Sequence, residues 1–93
     1  MLGVRDDRFD ALCSALDSIQ GQQGLMAFAL KVGLSHCPTD DSNVEIWKGT
    51  SEGACIEIVV LAPAGSTGEW TLSTLVTAAG RVEHLRRRAF AMG

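Results

Sequence analysis

The three cysteines of this 93-residue chain, Cys13, Cys37 and Cys55, are odd in number, widely spaced and never in a C-x-x-C pair. Neither a disulfide framework nor a zinc knuckle is therefore expected, and a reducing compartment is the simplest setting. Long apolar runs are also missing. The longest, Leu25 to Leu34, is broken by Lys31 and falls far short of the roughly 20 residues that cross a bilayer. The opening Met1-Leu2-Gly3-Val4-Arg5-Asp6-Asp7 carries no signal-peptide core and no glycine at position two for myristoylation. A cytoplasmic protein with no membrane contact is the expectation.

A basic surplus is lacking too, and its distribution is uneven. Residues 1–80 hold Arg5, Arg8, Lys31 and Lys48 against ten acids, a net of −6, while residues 81–93 hold four arginines against Glu83, a net of +3, giving −3 for the chain. An acidic body disfavours general nucleic-acid binding, which needs several well-placed cations. The basic C-terminal tip permits a local contact with an anion or an acidic partner. Gly65-Ser66-Thr67-Gly68 lacks the P-loop spacing and its lysine, and Glu69 follows it, so Ser66 or Thr67 reads as a helix cap and no nucleotide or other cofactor is expected.

What is present is a hydrophobic fraction of 46% with 20% charge, the composition of one folded domain. At this length the core is thin, and every apolar face needs a covering layer, so dimerisation is a reasonable expectation. Phe9, Leu12, Cys13, Leu16 and Ile19 recur at the spacing of one helical stripe, which places a first helix at about residues 6–20. Leu25, Phe28, Ala29 and Val32 also fit a helix. Period two fits the same segment more completely, with Met26, Phe28, Leu30, Val32 and Leu34 on one side, so a strand is expected at about 25–35.

The segment His36 to Asn43 combines Pro38 with Asp, Asn and Ser side chains that bond their own backbone, and reads as a turn. Strands follow at about 44–48 and 54–61 around a hairpin loop at Gly49 to Gly53, and a final helix is expected at about 69–91. The order α-β-β-β-α predicts an α+β two-layer sandwich, an antiparallel three-stranded sheet with both helices on one face. Met26, Phe28, Leu30, Val44, Ile46, Ile56, Ile58 and Val60 would face the helices. Ala27, Ala29, Trp47, Val59 and Leu61 would then lie on the outer face beside Lys31, Glu45 and Glu57, a surface too apolar for ordinary solvation.

Helix-strand-strand-strand-helix is similar to the element order of double-stranded-RNA-binding domains, which would imply RNA contact through a lysine-rich start of the second helix. The corresponding Gly68-Glu69-Trp70-Thr71-Leu72 is acidic and has no lysine. The outline is also similar to the first half of the acidic, dimeric chaperones of secreted effectors, with no motif to carry the likeness, and no family is assigned.

Catalytic arrangements are sparse. His36 and Cys37 are neighbours, but on an extended segment they point to opposite sides, and a Cys–His couple would need a distant partner such as His84. His36, Asp40 and Asp41 have metal-like spacing without a fourth ligand, so no metal is expected. The leading expectation is a non-catalytic protein-binding module, regulatory or adaptor in role. It would be a homodimer through Ala27, Ala29, Trp47, Val59 and Leu61, with Arg86 and Arg87 touching an acidic partner. The alternative is a small-molecule or anion-binding domain with Arg86 as counter-ion between the last helix and the sheet, and behind it nucleic-acid contact through the arginine-rich helix end.

Overall fold

The computed structural model describes residues 7–51, 53–63 and 69–90, with side chains from Phe9 onward. Two helices come first, α1 (Asp7–Asp17) and α2 (Gly21–Val32), and five strands follow, β1 (Ser35–Cys37), β2 (Val44–Ser51), β3 (Ala54–Leu61), β4 (Trp70–Ala78) and β5 (Arg81–Phe90). The strands form one sheet in chain order, each antiparallel to its neighbours. The α+β class holds. A three-stranded sheet framed by two helices does not, because two of the expected elements are of the other kind.

The first correction concerns residues 25–35. Only Ser35, which opens β1, is in a strand: the segment to Val32 is helical and buries Leu25, Phe28 and Ala29 along one stripe, leaving Met26 and Leu30 outward at 51% and 86% exposure. Leu, Met, Ala and Lys are good helix formers, and Gly33, at φ +81°, supplies the left-handed residue that ends such a helix. The amides of Gly33 and Leu34 both donate to the carbonyl of Ala29, at 2.9 and 2.8 Å. The large/small alternation that favoured a strand here is an accident of an Ala-rich helix.

The second correction concerns residues 69–91, which are a hairpin and not a helix. Ala79 and Gly80 sit at φ +54° and +74°, between partners Ala78 and Arg81, a two-residue turn of the mirror-image type that matches strand twist. Thr71, Thr74, Val76 and Thr77 are β-branched and favour the pleat. Leu72, Thr74 and Val76 are buried in strict alternation. The register moves between Val76, which faces His84, and Thr77, which faces Val82, so Glu83 is the extra residue of a β-bulge.

Side-chain parity on β2 is also the reverse of the expectation. Trp47 pairs with Ile58 and Ile46 with Val59, so Glu45 and Trp47 share the face of Ile56, Ile58 and Val60, while Val44 and Ile46 lie on the other. One core cluster joins Phe9, Leu12, Cys13, Leu16 and Ile19 from the first helical stretch, Leu25, Phe28 and Ala29 from α2, and Ile56, Ile58, Val60, Leu72, Val76 and Phe90 from the sheet. Both helices thus share the core with a single sheet face. Gly49 allows this closeness, since a Cβ there would stand 2.7 Å from Leu34 Cδ2 and 3.1 Å from the Gly33 carbonyl oxygen.

The end of α1 is tied to the last strand. Arg88 Nη2 donates to the carbonyls of Ile19 at 2.8 Å and Leu16 at 3.2 Å, and His84 Nε2 lies 3.4 Å from Asp17 Oδ1. A guanidinium on these carbonyls satisfies acceptors that a helix end leaves open and complements its dipole. About seventy residues of chain are closed by this contact.

Candidate functional site

The sheet face turned away from the helices is assembled from rows that run across the strands. One row reads Cys37, Ile46, Val59, Ser73, Arg87; the next towards one end reads Val44, Leu61, Thr71, Ala89. Towards the other end lie Ser35, Lys48, Glu57, Leu75, Leu85 and then Thr50, Cys55, Thr77, Val82. Among the described residues no element lies over these rows. Val82 and Leu85 are each 60% exposed, and Val44, Ile46, Val59, Leu61 and Leu75 are half-buried.

The charge on this face is nearly balanced. Lys48 Nζ and Glu57 Oε2 stand 3.5 Å apart on paired positions, and Arg87 lies at the margin formed by β5. A shallow depression of about 330 Å³ is bordered by Lys48, Thr50, Cys55, Glu57, Leu75 and Thr77. Thr and Ser fill the remaining positions of β4, so the surface mixes aliphatic patches with hydroxyls that water or a partner can satisfy.

Of the residues expected to form an interface, Val59 and Leu61 lie on this outer face. Trp47 does not. It turns inward, packs against the core, donates from Nε1 to Glu45 Oε1 at 2.8 Å, and has the His36 ring 4.9 Å away at 60°. Ala27 and Ala29 belong to α2, where Ala29 is buried and Ala27 exposed on a helix surface far from the sheet pattern assumed for them. Ile46, Val44, Leu75 and Leu85 take their place. Leu75 and Leu85 were hidden by the helical reading of their segment, although the alternation from Trp70 to Ala78 was there to be read.

Arg86 and Arg87 are both exposed on β5. As neighbours in a strand they project to opposite faces, so they cannot converge on one anion. Arg86 Nη1 donates to the carbonyl of Leu85 at 3.0 Å. The pocket between a terminal helix and the sheet, with Arg86 as its counter-ion, falls with that helix, and so does the arginine-rich helix end offered for nucleic acid. The likenesses of element order to RNA-binding domains and to effector chaperones rested on the same outline and fall with it.

The turn at His36 to Asn43 is narrower than expected, because His36 and Cys37 belong to β1. Asp41 organises the rest: its Oδ1 accepts the Asn43 amide at 2.9 Å and its carbonyl accepts the Thr39 hydroxyl at 2.7 Å. Its carboxylate thus does local work in the loop. Among the described residues no group of three or more His, Cys, Asp or Glu side chains gathers as a metal site. Gly65 to Gly68, considered above as a helix cap or phosphate loop, lies outside the described residues. All three cysteines are free thiols, Cys13 in the core, Cys37 half-buried and Cys55 exposed. No helix among the described residues is long and apolar enough to cross a membrane.

The chain matches no protein-family model, no curated protein sequence and no solved structure at a significant level.

Proposed function

We propose that this chain is a small non-catalytic protein-binding module, regulatory or adaptor in role, that acts as a homodimer through the outer face of its sheet. The observation that supports this is the aliphatic cluster of Ile46, Val59, Leu61, Leu75 and Leu85, over which no element lies among the described residues. Four strands of eight to ten residues and the three-residue β1, about 4.8 Å apart and rising about 3.3 Å per residue, make a face on the order of 600 Å². Two such faces bury on the order of 1,200 Å², the lower end of stable interfaces. A second copy suits the surface because Lys48 and Glu57 already neutralise each other, so like meets like without repulsion across an otherwise acidic molecule. Three free thiols fit a cytoplasmic setting.

The test is the mass of the purified chain by light scattering over a concentration series. A dimer is expected. Val59→Asp places an unpaired charge in the middle of the interface and should give monomer with an unchanged circular-dichroism spectrum. Leu85→Lys, at a position already 60% exposed, is the milder companion and should weaken the dimer without strain on the fold. A monomer of 9.9 kDa at every concentration, or a dimer indifferent to both substitutions, would overturn the assignment.

A further inference from the structure

Among the described residues, β5 is the last strand of the sheet and is paired on one side alone, with β4. Antiparallel pairing turns the N–H and C=O groups of alternate residues away from the neighbouring strand, so a ten-residue edge is a template for one strand more. The opposite edge, β1, has three residues and offers much less.

The side chains on β5 select which strand fits. Arg81, Arg86 and Arg87 are exposed, Arg88 is committed to α1, and Glu83, the bulge residue, is the one acid on the strand. Two copies of β5 laid antiparallel about their Arg86-Arg87 centre would bring arginines against arginines, and like charges on directly opposed positions are destabilising. The same edge attracts an acidic strand for the same reason. Because Arg86 and Arg87 project to opposite faces, two consecutive residues of an added strand would stand opposite them, one on each face. Separate surface anions would not meet that demand, whereas adjacent Asp or Glu residues in an extended chain would. Arg86 meanwhile rests on the Leu85 carbonyl of its own strand, a contact an incoming strand can replace.

We infer that β5 binds an extended acidic segment of a partner protein as a sixth strand, with consecutive carboxylates opposite Arg86 and Arg87. The surface is the edge of the sheet and not its outer face, so this pairing and the homodimer can fail independently.

The probe is a blocked, fluorescently labelled peptide of Thr and Val residues with a central Asp-Glu pair, titrated with the full chain and followed by anisotropy. Saturable binding is expected at low salt, weakening as salt rises. The double variant Arg86→Glu with Arg87→Glu should lose at least about tenfold in affinity while keeping its circular-dichroism spectrum, and should gain binding of the peptide with Lys-Lys at its centre. Methylation of alternate peptide nitrogens, which removes edge donors and leaves the charges, should lose a similar factor. Absence of binding by the unaltered chain, or equal binding of the methylated peptide, would overturn the inference. So would an oligothymidylate that competes as well as the peptide, since that outcome makes the arginines a simple polyanion site.

Discussion

Removing Arg88 should destabilise the fold although the residue lies on an edge strand beside two arginines that matter little. Its Nη2 group holds the Ile19 and Leu16 carbonyls at 2.8 and 3.2 Å, and its guanidinium carbon lies 6.0 Å from the centre of the Phe90 ring. Hydrogen bonds from a charged donor contribute about 1.5–3 kcal/mol net, and a cation at a helix C-terminus adds about 0.3–1 kcal/mol. Arg88 is half-buried, so water partly replaces what is lost, and about 2 kcal/mol is the expected cost of Arg88→Ala. In a domain of this size that is a fall of about 10 °C in Tm. Arg88→Met keeps the packed stem and should still lose most of the 2 kcal/mol, which separates the hydrogen bonds from the stem. Arg86→Ala and Arg87→Ala should stay within about 0.5 kcal/mol of the parent, as exposed substitutions do. Urea titrations at one fixed protein concentration measure all four, because a dimer would make the midpoint depend on concentration. If Arg88→Ala costs no more than Arg87→Ala, the clamp on α1 contributes nothing and the argument fails.

Three further substitutions probe the fold elsewhere. Thr74 is 2% exposed and its hydroxyl has no hydrogen-bond partner, so Thr74→Val should stabilise by about 1 kcal/mol in urea titration, and a loss of stability would show that the hydroxyl is bonded. Gly49→Ala should cost about 1–3 kcal/mol, since the new methyl meets Leu34 and the Gly33 carbonyl, and a neutral result would mean that α2 is free to shift from β2. Ala79→Asn should raise Tm by a few degrees, because Asn-Gly suits a turn with two positive φ angles better than Ala-Gly; an unchanged Tm would argue against this turn type.

The segments that reached the expected structure are those where one periodicity excluded the other. Phe9 to Ile19 has no alternation to compete with its helical stripe, and Ala54 to Leu61 has β-branched residues at four of its eight positions, so each had a single solution. Residues 25–35 satisfied both periods, and what decided between them was tertiary: Leu25, Phe28 and Ala29 find the first helix and the sheet together, which no local count contains. The error at 69–91 was of another kind. Leu72, Leu75, Ala78, Val82 and Leu85 do make a helical stripe, but Ala79-Gly80 carries the turn, and a glycine in mid-helix should have weighed against it by about 1 kcal/mol.

Reading the site depended on strand parity, and parity is lost with a single slip of register. On β2 the choice lay between Trp47 and Ile46 as the outward residue, and the hydrophobic pattern of Val44 to Lys48 is the same whichever is taken. The structure resolves it through Gly49, which shares a face with Trp47 and must face inward because Leu34 lies against it. Val59 and Leu61 kept their place because β3 is central and its better-packed side, Ile56, Ile58 and Val60, is unambiguous. The arginines show the same dependence in reverse. On a helix Arg86, Arg87 and Arg88 would fan around one end; on a strand they separate by face, and Arg88 goes to the helix end, Arg86 and Arg87 to the two sides of an open edge. Whether residues 69–91 are helix or hairpin therefore decides where all three arginines act, and the edge-strand chemistry exists only because that segment is extended.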